Sequence, residues 1–238
     1  MSRLAARAVL ALKALKLLEQ RHGRLAGHHG AMKPELLVLD AMGVIFEVSD
    51  TVSTYLVPFA QERGSGLDRA AVRDLYLRSS VGELDAEQLW RELGIRDPDA
   101  ASEAYIRLFR LAPGALDFLG WAGRQRIRLA CLSNDVGDWS LALRERHGLS
   151  SMIDLWVISG DVGSRKPDLA IFEALREACG VSFGAWVFVD DHQANLDAAA
   201  RLGVTTVGFG PDVTVTPRAK DFDELGLLVS QLFDLETG

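Results

Sequence analysis

The sequence predicts an α/β fold: a Rossmann-like three-layer core on a parallel sheet, with a small all-α cap inserted after the first strand. Three observations predict it. Short runs rich in branched aliphatic residues recur from residue 35 onward, and each suits a strand buried on both faces. Between them stand segments with apolar spacing near the helical period and glycine at or just past their ends. Strands alternating with helices imply βαβ units and a parallel sheet. One interval of about sixty residues interrupts this rhythm with helical patterning alone.

The strand runs are ELLVLD (35–40), IRLACLSN (127–134), LWVISGD (155–161), AWVFVDD (185–191) and TTVGFG (205–210). The intervening helical segments are GALDFLGWAGRQR, DWSLALRERHG, DLAIFEALREACG and NLDAAARLG. The interrupting interval holds TVSTYLVPFAQERG, DRAAVRDLYLRSS, DAEQLWRELG and DAASEAYIRLFRLA, two of them with an Asp near the start that suits an N-cap. An insertion directly after the first strand sits over the sheet's carboxyl edge, where a lid belongs. The expected organisation is therefore an extension over 1–32, a core of 33–48 and 112–238, and a cap of 49–111. Tyr76, Trp90 and Tyr105, at helical spacing, read as cap packing. Arg78 is the cap residue expected to meet an anionic substrate.

A chain of 238 residues, 48% hydrophobic and 25% charged, can bury a proper core as one domain plus an insertion. The formal net charge of −7 excludes a general nucleic-acid binder, because phosphate backbones demand basic surface. Charge is unevenly placed. The first 32 residues carry six basic side chains and only Glu19, leaving 20 basic against 32 acidic residues in the rest. This extension reads as a basic helix, or a poorly ordered terminus, fading into a Gly/His loop. Lys13 and Lys16 interrupt its apolar stretch and no small-residue cleavage site follows, so it resembles neither a secretory signal nor a membrane span. His22, His28 and His29 have no Cys or carboxylate cluster beside them and read as solvated. Cys131 and Cys179 read as core thiols, in keeping with a cytoplasmic protein.

Four features end at one sheet edge: Asp40 after the first strand, Ser133 and Asn134 after the second, Lys166 in SRKPD, and Asp190 and Asp191 in FVDDHQAN, with Asn195 one turn later. Each has a plain structural alternative. Asp40 could be a helix cap, SND ordinary turn chemistry, and KPD a turn entering a helix. Asp190 and Asp191 are different: adjacent carboxylates at the end of a buried strand repel unless a cation sits between them. The coincidence of all four in a parallel sheet marks a site.

LDAMGV, LSN, GSRKPDLAIFEAL and VDDHQANLDAA, in that order, resemble the four motifs of the haloacid dehalogenase superfamily of hydrolases. The resemblance covers nearly all of residues 35–210. It implies that Asp40 is a covalent nucleophile forming an aspartyl intermediate that water hydrolyses. It implies that Ser133 and the Asn134 amide bind the transferring group, and that Lys166 holds nucleophile and anion together. It also implies Mg²⁺ on Asp40, Asp190, Asp191 and the backbone carbonyl of Met42, with Asn195 steadying the loop behind them.

Met42 departs from the pattern. Most superfamily phosphatases carry a second Asp there, acting as general acid and base, and loss of such a group costs roughly 10²–10⁴ in rate. Three readings follow. The leading one is a Mg²⁺-dependent phosphohydrolase of a small, anionic metabolite. Its leaving group either needs little protonation or takes a proton from a cap residue, for which Glu47, Glu83 and Asp85 are candidates. The second is 2-haloacid hydrolysis, in which halide leaves without a proton, although dehalogenases do not keep the acidic pair. The third is a catalytically silent binding or regulatory protein on the same fold. The phosphonate-cleaving branch, which uses a cap lysine, is excluded because residues 41–130 contain no lysine.

Overall fold

The structure is a computed structural model and describes residues 33–235. The expected N-terminal helix and its histidines lie outside the described residues. Six parallel strands form one sheet: β1 (Leu36–Leu39), β2 (Arg128–Ser133), β3 (Leu155–Ile158), β4 (Trp186–Asp190), β5 (Thr205–Phe209) and β6 (Arg218–Ala219). Their order is β3-β2-β1-β4-β5-β6, so the sheet reverses direction around β1, where open α/β sheets place their sites.

The helices, in chain order, are α1 (Val57–Glu62), α2 (Arg69–Ser79), α3 (Ala86–Glu92), α4 (Pro98–Ile106), α5 (Ala115–Arg124), α6 (Gly137–Arg146), α7 (Ser159–Val162), α8 (Leu169–Cys179), α9 (Gln193–Arg201) and α10 (Phe222–Leu232). Strand alternation decides which helices cover which face. Leu36 and Val38 of β1 join Phe172 and Leu175 of α8 and Leu196 of α9. Leu37 and Leu39 join Phe118 of α5, Trp139 of α6 and Leu225 of α10. The result is three layers with both sheet faces buried. Cys131 and Cys179 are buried free thiols within these layers.

The chain between Phe46 and Leu111 is helical, and its two ends meet. Phe46 and Leu111 form an antiparallel bridge, flanked by Glu47 N–H donating to Arg110 O and Ala112 N–H to Ile45 O. Asp68, Asp85 and Asp97 cap α2, α3 and α4, each accepting from a backbone N–H of the first turn. The first inserted helix opens with a π-helical stretch, Val52–Leu56, before α1. Pro58 accounts for part of this irregularity, because it has no N–H to donate to the preceding turn.

Two further departures from the sequence reading have physical causes. The strand expected to run to 161 stops at Ile158 and turns into α7. Gly160 N–H donates to Asp135 O, and a Cβ on Gly160 would lie 2.8 Å from Gly137 N, so the chain curls against the end of β2. Beyond residue 210, β6 and α10 had no counterpart among the expected elements. With two residues β6 is too short to show a period, whereas α10 carries an Asp221 cap.

The insertion is packed as firmly as the core. Trp139 of α6 stacks within 4.6 Å of Tyr105 and 5.2 Å of Trp90, measured between ring centroids, and Phe59 completes the cluster from α1. One apolar cluster thus runs from the sheet into the inserted helices. Truncation of Trp139 to Ala should cost about 3–5 kcal/mol in urea unfolding, the usual range for emptying a buried aromatic site. A cost below about 1 kcal/mol would mean that the cluster does not couple the two parts.

Candidate active site

The sheet register builds the site. Leu39 pairs with Val189 on one side and Cys131 on the other, so the next residue, Asp40, stands beside Asp190, with Ser133 at the end of β2 close by. Asp40 N–H extends the ladder by donating to Val189 O at 2.9 Å. Two carboxylates are therefore forced together at the ends of two buried strands.

Lys166 resolves that conflict. Its ammonium lies 2.8 Å from Asp40 Oδ1 and 2.7 Å from Asp190 Oδ2, with all three side chains buried. Asn134 fixes the lysine's backbone: its Nδ2 donates to Lys166 O at 2.9 Å, and its Oδ1 accepts from Lys166 N–H at 2.8 Å. Asp190 is saturated, since it also accepts from His192 N–H at 2.8 Å and from Asn195 Nδ2 at 3.0 and 3.1 Å. Burial outweighs the lysine in setting Asp40, and the neighbouring Asp190 and Asp191 carboxylates add to it, so its pKa is raised. The Lys166 pKa moves up as well, because its two carboxylates overcome its own desolvation.

Asp191 presents its carboxylate differently. Oδ1 lies 2.9 Å from His192 Nδ1, and Oδ2 occupies the space that a side chain at position 43 would fill. A Cβ on Gly43 would lie 2.0 Å from that oxygen, and Gly43 also has φ +82°, so glycine is required on both counts. The donor set fits a hard divalent cation: Asp40 and Asp190 share a single ammonium, Asp191 adds a carboxylate that acts on Asp40, and the 41–43 turn wraps against Asp191. Asp190, Asp191 and His192 also offer ligand atoms within 4.8 Å of one another, but the His192 nitrogen is engaged with Asp191 and magnesium prefers oxygen. Ser133 Oγ is buried at the end of β2 with no hydrogen-bond partner among the described residues. A buried hydroxyl left so costs about 1–3 kcal/mol, which a ligand oxygen would relieve.

A cleft of about 350 Å³ opens over this cluster. Asp40, Met42, Asn134, Lys166 and Asn195 line it, so most residues singled out in the sequence converge there. Others do not. Arg78 pairs with Glu83 at 3.2 Å and is not among the lining residues. Glu47 is exposed and Asp85 caps α3, so none of the three expected proton donors lines the cleft. Tyr76 does line it, with its hydroxyl donating to Asn134 O at 3.1 Å, whereas Trp90 and Tyr105 are packing residues as expected.

Sequence reading missed Arg73, Arg165, Asp50 and His192, all of which line the cleft. Helical periodicity could have found the first: Arg73, Tyr76 and Leu77 are spaced i, i+3, i+4 and line the cleft together. Ser80 Oγ accepts from Arg165 at 2.6 Å, tying α2 to the Lys166 loop.

Comparison with known proteins identifies the family. A family model described as haloacid dehalogenase-like hydrolase matches residues 34–203. The GMP/IMP nucleotidase YrfG of Escherichia coli (strain K12) is 34% identical over 90 residues, which is 37% of this chain and 39% of that protein. The phosphoserine phosphatase of Thermus thermophilus is 31% identical over 169 residues, covering 63% of this chain and 66% of that one. The chain thus spans well under half of the nucleotidase's length. Among solved structures, a HAD family enzyme of Bacteroides thetaiotaomicron superposes with a TM-score of 0.63 at 17% identity, covering 74% of this chain and 93% of that one. The L-2-haloacid dehalogenase of Xanthobacter autotrophicus gives 0.59 at 18% identity, over 82% and 98%. Both share the fold. Because the matched segment takes in the inserted helices and every strand-end motif from Asp40 to Asn195, the chain belongs to the haloacid dehalogenase-like hydrolases.

Proposed function

We propose that this protein hydrolyses a small phosphorylated metabolite through an aspartyl-phosphate on Asp40, with Mg²⁺ as cofactor. One observation carries the reading: Asp40 and Asp190 share a single buried ammonium, and Asp191 adds a third carboxylate to the field at Asp40. This excess of negative charge suits a divalent cation and a phosphoryl substrate, and carbon–halogen hydrolysis has no use for it. The curated relatives whose sequences match are phosphatases and a nucleotidase, which supports the same choice.

Asp40 Oδ1 is held by Lys166 and by Ala41 N–H at 2.7 Å, which leaves Oδ2 to form the bond to phosphorus. Lys166 orients that carboxylate and balances charge on the transferring group. Ser133 Oγ and the Asn134 amide hold phosphoryl oxygens. Asp40, the Met42 carbonyl and Asp191 would hold the ion, which would supply positive charge beside the phosphoryl group; Asp190, expected as a further ligand, is taken up instead by Lys166, His192 N–H and Asn195. Asp190, filled by four hydrogen bonds from three donors, fixes Lys166, and Asn195 fixes Asp190. The substrate is a small anionic molecule.

A panel of phosphate esters, acyl phosphates and 2-haloacids, assayed with and without Mg²⁺, tests the assignment. We expect Mg²⁺-dependent phosphate release that chelation abolishes and that Asp40→Asn lowers by about 10³-fold or more. Metal-independent halide release would establish dehalogenation instead. Silence across the panel with Mg²⁺ still bound, and phosphatase activity created by Met42→Asp, would point to a binding protein.

The charge balance yields a second prediction. Lys166→Met strands two buried carboxylates and should cost about 3–5 kcal/mol at pH 8. Loss of the ammonium raises the folded-state pKa of Asp40 further, so the folded form takes up a proton more readily than the unfolded chain. The stability deficit must therefore shrink as pH falls below the raised value, and widen again above it. A deficit independent of pH between 5 and 8, followed by chemical denaturation, would contradict the role given to Lys166.

A further inference from the structure

Position 42 lacks the proton donor that an ester leaving group needs. Met42 is buried, with 8% exposure, at the lip of the cleft and has nothing to donate. Of the remaining titratable groups there, Tyr76 and Asp50 are committed elsewhere, whereas His192 has only one ring nitrogen engaged. Tyr76 O–H is donated to Asn134 O, and burial lifts its phenol well above the usual range. His192 Nδ1 is engaged with Asp191. Asp50 Oδ1 accepts from Ser53 N–H at 3.0 Å. Slight burial nudges Asp50 upward, but the Ser53 bond and the nearby Arg73 and Arg69 bring it below the ordinary carboxylate range, so it holds no proton at neutral pH.

What the cleft offers instead is positive charge. Arg73 enters from α2 and Arg165 from the loop beside Lys166, on the inserted and the core side. Among the described residues neither has a carboxylate within ion-pair distance, although Asp50 contributes to the field around Arg73. Arg165 is pre-positioned by its bond to Ser80 Oγ. Two guanidinium groups without a carboxylate partner among the described residues, lining the same cleft as Asp40, suit an anion.

Building on the phosphohydrolase reading, we infer that the substrate is an anhydride of phosphoric acid, an acyl phosphate or a phosphoanhydride, whose leaving group departs as an anion held by Arg73 and Arg165. In the first step the bond from Asp40 Oδ2 to phosphorus forms and the bond from phosphorus to the bridging oxygen breaks. The electron pair stays on that oxygen, which leaves as a carboxylate or phosphate and needs no proton. Water then attacks the aspartyl-phosphate, Asp40 is restored as a carboxylate, and inorganic phosphate leaves while the water's proton passes to solvent. The two arginines thereby take over what an acid at position 42 would supply to an ester.

The test uses the full chain with Mg²⁺ and four substrates: acetyl phosphate, inorganic pyrophosphate, phenyl phosphate and glycerol 2-phosphate. The wild type should favour at least one of the two anhydrides over glycerol 2-phosphate by about 10²-fold or more in kcat/KM. Met42→Asp should narrow that gap by a similar factor through faster ester turnover. Arg73→Gln and Arg165→Gln should each lower kcat/KM on the preferred anhydride about tenfold more than on phenyl phosphate, the cost of one charged hydrogen bond. Acetyl phosphate or pyrophosphate as the preferred substrate distinguishes the two kinds of leaving group. Wild-type turnover of glycerol 2-phosphate equal to that of both anhydrides, or arginine variants that depress every substrate alike, would overturn the inference and leave the phosphohydrolase reading standing. Absence of phosphate release from all four would overturn that reading and this inference with it.

Discussion

Everything at this sheet edge depends on one buried ammonium. The parallel register of β1 and β4 sets Asp40 beside Asp190, two carboxylates at the ends of adjacent strands. Lys166, touching both, turns a repulsive pair into a compact ion cluster. The lysine is held in turn through its own backbone by Asn134, so β2 aligns a residue 32 positions further along the chain. Removal of the ammonium would undo fold and chemistry together.

The inserted helices complete the site without behaving as a loosely tethered flap. Trp139 interlocks with Trp90 and Tyr105, Tyr76 donates to Asn134 O, and Ser80 accepts from Arg165. These contacts hold one face of α2 against the strand ends, with Arg73 and Tyr76 presented at fixed positions. The pattern is pre-organisation: the groups that would meet the substrate are placed before it arrives.

Much of this was legible in the sequence, for identifiable reasons. Asp40, Ser133, Asp190 and Asp191 stand at the ends of apolar runs, where polarity changes abruptly, and parallel topology brings such ends together. Lys166 was recognisable only through its motif, because a loop lysine carries no periodic signal. Arg73 was readable in principle from the helical face that it shares with Tyr76, yet Arg78 drew attention in its place; five residues from Glu83, it is consumed by that pair. Glu47, Glu83 and Asp85 had the right chemistry at positions that backbone geometry turns away from the cleft. Gly43 shows the limit most plainly: that its missing side chain makes room for Asp191 requires coordinates, because the two residues lie far apart in sequence.

Asp40 as a covalent nucleophile is the central claim, and Met42 makes it unusually testable. Without an acid–base residue at position 42 to activate water, the aspartyl-phosphate should persist long enough to trap. The direct measurement is acid quenching during turnover of acetyl phosphate with Mg²⁺, followed by mass spectrometry of the peptide containing residues 36–46. Asp40 should carry the added mass of one phosphoryl group, absent from Asp40→Asn. Phosphate released at a steady rate with Asp40 never modified would contradict it.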